Sequence, residues 1–130
     1  MRELTKMLKA LSDESRLRVL SLVLERECCV CEVMQAMNIS QSRASRSLTA
    51  LYDAGILRQR KDGRWVLYSI DNEGMKEYTN DIVLAVSKAL MGNPLVEEDR
   101  ERLKKAERVG PSCAGKFCQG LLSAETSKPE

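Results

Sequence analysis

The stretch Ser40-Gln41-Ser42-Arg43-Ala44-Ser45-Arg46-Ser47-Leu48-Thr49-Ala50-Leu51 decides the architecture. A serine suited to cap a helix precedes apolar residues at Ala44, Leu48 and Leu51, while Gln41, Ser42, Ser45, Arg46 and Thr49 face the other way. Short hydrogen-bonding side chains and arginines on one exposed helix face suit base edges and phosphate oxygens. Just upstream, Val33, Met34 and Met37 mark a short helix that stops at Asn38, a residue that tolerates left-handed backbone. Two helices joined by so short a turn form a helix-turn-helix.

Working outward, this fourth helix ends near Gly55, and two strand-like runs follow, 56–60 and 64–70. Asp62-Gly63 between them is a hairpin signal, because a two-residue turn needs positive φ. Towards the N-terminus, Leu4, Met7, Leu8 and Leu11 form one helical stripe. Ser12 or Asp13 caps a second helix carrying Leu17, Leu20, Val23 and Leu24. A fifth helix runs from about Gly74 to Leu90 on Met75, Ile82, Val86 and Leu90. The expected fold is mainly α with a small β-hairpin, a winged helix-turn-helix of order α-α-α-α-β-β-α. Between Asn38 and Tyr68, Arg43, Arg46, Arg58, Arg60, Lys61 and Arg64 stand against only Asp53 and Asp62. The basic footprint is therefore local, in a chain whose net charge is +2. In the usual division of labour, Gln41, Ser42, Ser45 and Arg46 meet the major groove of double-stranded DNA, while Arg60, Lys61 and Arg64 on the hairpin reach phosphates or the minor groove.

The 130 residues suffice for about one domain. All three prolines, Pro94, Pro111 and Pro129, fall in the last third. Residues 1–92 read as the DNA-binding and dimerisation domain, and 93–130 as a charged, partly disordered, cysteine-containing tail. Residues 95–109 mix charges of both signs and read as a solvated helix with too few apolar positions to pack. No run of about 18 apolar residues exists, so no membrane contact is expected, and a cytoplasmic location follows. The chain has no histidine, which removes the commonest acid-base catalyst and zinc ligand. The strand-helix alternation of thiol oxidoreductases is also missing, so an enzyme is not expected.

Glu27-Cys28-Cys29-Val30-Cys31-Glu32-Val33 places three of the five cysteines just ahead of the reader. Single buried cysteines are usually small core residues. Three within four positions, plus Cys113 and Cys118 on a polar tail, point instead to soft-ion binding or redox sensing, since cytoplasmic thiols stay reduced. Helix N-termini favour thiolate, and Glu27 and Glu32 oppose it. At about 100° per residue, Cys29 and Cys31 on one regular helix would lie about 200° apart, so a shared ion would unwind that turn.

The chain resembles the ArsR/SmtB family of winged-helix repressors over about residues 3–91. The resemblance rests on Ala10–Leu20 for the second helix, Ser40–Leu48 for the recognition helix, and Ala54–Leu57 with Arg60–Tyr68 for the wing. Arg46 stands where the family more often has histidine. The resemblance implies a homodimer on the first and fifth helices, a two-fold operator, and release of DNA on ligand binding. The cysteine run looks like the family's arsenic-responsive signature, which gives Cys29 and Cys31 the two ligand positions. Cys28 falls where leucine is usual, and Met34 where some members carry a further cysteine. Trivalent arsenic or antimony needs three thiolates, so Cys28, Cys113 and Cys118 are candidates for the third, with the tail pair favoured for its reach. The alternatives on the same scaffold are a cadmium- or lead-responsive repressor and a thiol-redox-responsive one.

Overall fold

Short polar side chains open three of the helices among the described residues, with Asp13, Ser40 and Asn93 as their N-caps. The computed structural model describes residues 1–108, so Cys113 and Cys118 lie outside the described residues. Its elements are α1 (Arg2–Ala10), α2 (Glu14–Glu25), α3 (Val30–Met37), α4 (Gln41–Asp53), β1 (Leu57–Asp62), β2 (Trp65–Ile70), α5 (Glu77–Leu90) and α6 (Pro94–Lys105). Asp13 accepts the Arg16 N–H at 3.0 Å to open α2, and Ser40 accepts the Arg43 N–H at 3.2 Å to open α4. Asn38 ends α3 at φ 55°, and Gly55 follows α4 at φ +82°. Arg16 closes α1 from outside, donating to the Ala10 and Lys9 carbonyls at 2.7 and 3.0 Å.

Leu20, Leu22, Val33, Met34, Leu48, Leu51, Ile56 and Leu67 form the centre of the core, all fully buried. Ala44, Leu48 and Leu51 pin α4 there, which leaves its polar face outward. The α1 stripe divides: Met7 and Leu11 join the core, Leu4 is half-buried and Leu8 is exposed. On α5 the innermost apolar residue is Val83, which the expected stripe omitted, with Ile82 and Val86 packed beside it.

Three expectations are corrected. The hairpin loop is Gly63-Arg64, one residue later than expected, because Asp62 pairs with Trp65 and Gly63 supplies the positive φ at +64°. Helix α5 starts at Glu77 rather than near Gly74, since the Asp71 carboxylate takes the Gly74 N–H at 3.0 Å and holds a turn there. Helix α6, read as solvated, packs on α2 and α3. Its buried face is Val96, Asp99 and Leu103. Asp99 has 0% exposure and accepts Arg18 Nε and Nη2 at 2.8 Å each, with Arg102 Nη2 also at 2.8 Å. A carboxylate in the middle of the stripe hid this face, because its partner lies on another helix. No helix among the described residues is long and apolar enough to cross a membrane.

Candidate nucleic-acid interface and thiol site

On α4, Ser42, Arg43, Arg46 and Thr49 are exposed and Gln41 and Ser45 half-buried. Ser40 is buried, and its hydroxyl serves as the helix cap rather than facing outward. Arg43 Nη2 donates to Ser15 Oγ at 3.3 Å, which brings the start of α2 to the same face. Together with Asp13, Arg16, Arg46 and Ser47 these two line a cleft of about 270 Å³. Ser15 carried no sequence signal, being 28 residues from its partner. On the wing, Lys61 and Arg64 are exposed. Arg60, also exposed, donates Nε and Nη2 to the two carboxylate oxygens of Glu27, at 2.8 and 2.7 Å. That bidentate bond holds the Glu27 carboxyl below the usual range and Arg60 above its own.

Cys28, Cys29 and Cys31 are all buried. Cys28 exchanges backbone hydrogen bonds with Tyr68 of β2: its N–H donates at 3.0 Å and its carbonyl accepts at 2.8 Å. Its thiol donates to the Arg26 carbonyl at 3.2 Å. Burial, reinforced by the Glu32 charge, pushes that thiol up to about 12. Cys29 is the N-cap of α3, with extended backbone at φ −97° and ψ 171°. The helix therefore begins at Val30. Cys29 and Cys31 do not share a regular turn, so the expected 200° separation does not apply. Cys31 lies inside α3, where Gln35 Nε2 donates to its sulfur at 3.4 Å.

The sequence reading missed the hub of this site, Glu32. Its Oε1 accepts the Cys29 N–H at 2.9 Å, half of a capping box whose three-residue spacing was the available signal. Its Oε2 accepts Arg26 Nη1 at 2.7 Å, and Arg108 Nε donates to Oε1 at 3.3 Å. Burial raises the Glu32 pKa, but the Arg26 bond, the Cys29 N–H and the two guanidinium charges outweigh it, so the carboxyl is lowered. Gln35 completes the cluster, giving Nε2–H to the Glu107 carbonyl at 2.6 Å and taking the Glu107 N–H at 3.1 Å. The chain leaving α6 is thus pinned beside Cys29 and Cys31. Among the described residues, no group of three or more His, Cys, Asp or Glu side chains is arranged to hold a metal ion. Three buried thiols on one segment have the donor chemistry that suits a soft thiophilic ion.

The Cys28 proton has a measurable consequence. An unfolded thiol titrates near about 8.5. The folded value is raised, so the stabilisation is fully present below about pH 8.5 and is lost as pH climbs towards 12. The expected slope reaches about 1.4 kcal/mol per pH unit. Urea unfolding at pH 8 and pH 10.5 should show the parent losing more stability than Cys28→Ala over that interval. Equal losses would show that the Cys28 thiol ionises in the folded protein.

The helix-turn-helix and its two-stranded wing define the class: a winged helix-turn-helix protein. Solved structures agree on the fold. A domain from Mycobacterium bovis, described as a homodimeric winged helix-turn-helix DNA-binding domain and a possible ArsR-family transcriptional regulator, superposes with TM-score 0.59. It is 24% identical and covers 72% of this chain and 82% of its own. Residues 13–59 match the family described as bacterial regulatory protein, arsR family. The arsenical resistance operon repressor of Staphylococcus xylosus is 34% identical over 79 residues, 61% of this chain and 75% of that protein. The chain belongs to the arsR family of bacterial regulatory proteins. It is also similar to the cadmium resistance transcriptional regulatory protein CadC homolog of Staphylococcus aureus, 40% identical over 76 residues, 58% of this chain and 63% of that one. The arsenic resistance transcriptional regulator ArsR1 of Pseudomonas putida is 44% identical over 66 residues, 50% of this chain and 52% of its own. The chain thus spans between about half and two thirds of the length of these last two relatives.

Proposed function

We propose that this protein is an arsenite- and antimonite-responsive repressor of the cytoplasm, which binds a two-fold operator as a homodimer and lets go when a trivalent metalloid binds its thiolates. The observation that carries this reading is the placement of Cys29 and Cys31. They lie buried at the start of α3, whose other end passes through the short turn Asn38-Ile39-Ser40 into α4. An ion that draws the two sulfurs together shifts the helix that braces the reader. Arsenic-named and cadmium-named relatives support a soft-ion inducer. In this reading residues 1–92 carry the DNA and dimer surfaces, and 93–130 carry the arm that completes the ligand set. The DNA face is Gln41, Ser42, Arg43, Ser45, Arg46 and Thr49, held by the Ser40 cap and flanked by Lys61 and Arg64. Exposed Leu8 on α1 and Leu84 and Tyr78 on α5 support a dimer surface there.

The third thiolate, in this reading, comes from Cys113 or Cys118. Cys28 is the poorer donor because its thiol is turned to the Arg26 carbonyl and both its backbone groups are held by Tyr68. The tail leaves from Arg108, already docked on Glu32, and the five residues to Cys113 reach up to about 17 Å. Truncation after Gly110 should therefore blunt the arsenite response, whereas Cys28→Ser should retain it. The opposite pattern would assign the third bond to Cys28.

The deciding experiment is a titration of the operator complex, followed by fluorescence anisotropy, with arsenite, antimonite, cadmium, zinc and peroxide in parallel. Arsenite and antimonite should weaken the complex about 5- to 150-fold, the usual range of allosteric coupling. Cadmium or peroxide acting where arsenite does not would replace the metalloid in this reading. Within the reader, Arg46→Ala and Gln41→Ala should blur base preference, each costing about 1–3 kcal/mol at the affected position. Lys61→Ala should mainly lower the salt slope, by about one unit. Operator binding unchanged in all three variants would remove α4 and the wing as the DNA face.

A further inference from the structure

We infer that Glu27 and Arg60 are positioning residues that tie the thiol segment to the wing, so that displacing Cys29 and Cys31 reorients the hairpin as well as α4. The inference rests on the proposed reading that an ion is taken up by those two cysteines. The segment 27–29 lies along β2 as a one-residue third strand. Cys28 spends both backbone groups on Tyr68, whose own partner across the hairpin is Gln59. Gln59 Nε2 adds a bond to Tyr68 Oη at 3.1 Å. One residue further along, Arg60 pairs with Leu67 in the sheet and grips Glu27 through both carboxylate oxygens.

Two neighbouring residues, Glu27 and Cys28, are therefore fastened to both strands of the wing. Cys29 follows them directly in extended backbone, before the helix begins. A pull on the Cys29 sulfur has two outlets, forward into α3 and backward into Cys28. Moving Cys28 means breaking or dragging two backbone hydrogen bonds to β2. The bidentate pair fixes the angle as well as the distance between Glu27 and Arg60, which a single point contact would not do. Its contribution to stability is small, because the side chains are 25% and 53% exposed. Orientation is what it supplies. Arg60, expected from the sequence to meet phosphates or the minor groove, acts here by aiming the strand that carries Lys61 and the loop that carries Arg64.

Trp65 is the chain's single tryptophan and sits at the end of the hairpin opposite Asp62. Its indole nitrogen is buried with no hydrogen-bond partner among the described residues, so its emission responds to any change in wing packing. The experiment uses the full reduced chain and sodium arsenite as probe. Uptake is followed by loss of thiol reactivity, wing response by Trp65 emission, and release by operator anisotropy. In the parent, Trp65 emission should change with the same midpoint as uptake. Glu27→Gln should keep uptake within about twofold but lose most of the Trp65 response and reduce operator release by about tenfold. The charge-swapped pair Glu27→Arg with Arg60→Glu should restore the Trp65 response in part. Uptake with no Trp65 change in the parent, or a Glu27→Gln variant that matches the parent in both responses, overturns the inference. If arsenite is not taken up at all, the metalloid reading fails on its own account. The tie is then judged without ligand by exchange of the Tyr68 amide, faster in Glu27→Gln if the inference holds and unchanged if it does not.

Discussion

Replacing Cys29 or Cys31 with serine is expected to leave operator binding within about twofold of the parent and to abolish release by arsenite, a loss of the whole coupling of about 1–3 kcal/mol. The asymmetry follows from placement. Both sulfurs are buried at the start of α3, away from the exposed α4 face of Ser42, Arg43, Arg46 and Thr49. A serine oxygen at position 29 still caps α3, since serine is a preferred N-cap. It does not replace a thiolate towards a soft ion, however, because affinity there comes from sulfur. Position 31 lies within the helix, and its sulfur accepts Gln35 Nε2–H at 3.4 Å, a bond a serine hydroxyl can also accept. Anisotropy with labelled operator, with and without arsenite, reads both quantities in one titration. A Cys29→Ser, Cys31→Ser double variant that still dissociates in arsenite would place the sensor elsewhere.

Arg18→Met is expected to lower stability by about 3 kcal/mol, the largest single effect on folding foreseen for a residue outside the apolar core. Asp99 is fully buried, and two of its three hydrogen bonds come from Arg18. The side chain of Arg18 is itself only 18% exposed, so this is a pair shielded from solvent rather than a surface bridge. Breaking such a pair from one side leaves a carboxylate with a single partner and costs about 3–5 kcal/mol. Arg102, which can turn towards water, compensates in part. Urea unfolding should show the loss as a lower midpoint at similar slope. Arg18→Met combined with Asp99→Leu should recover much of it, because the penalty lies in the stranded charge. A single variant within about 0.5 kcal/mol of the parent would mean that α6 contributes little to the folded state. The same variant should also weaken the arsenite response with every cysteine intact, since α6 carries Glu107 and Arg108 to Gln35 and Glu32.

The order of elements was legible because the signals that set it act over a few residues. Ser40 and Asp13 cap helices three positions ahead, Asn38 and Gly55 take positive φ where helices end, and Ala44, Leu48 and Leu51 repeat at helical spacing. The cysteine cluster was visible for the same reason, as three thiols within four positions. What joins these parts was not. Glu27 meets Arg60 across 33 residues, Glu32 meets Arg108 across 76, and Arg18 meets Asp99 across 81. No periodicity encodes a charge partner at such separations, so α6 read as solvated and the tie between Arg60 and Glu27 went unseen. The N-cap role of Cys29 depended on Glu32 turning back to its N–H, which a tally of thiols passes over. By itself the sequence determined which segments coil, where they stop and which atoms are soft. The tertiary structure decided which charges are buried and what the thiols are fastened to, because desolvation and bidentate geometry exist only once distant segments meet.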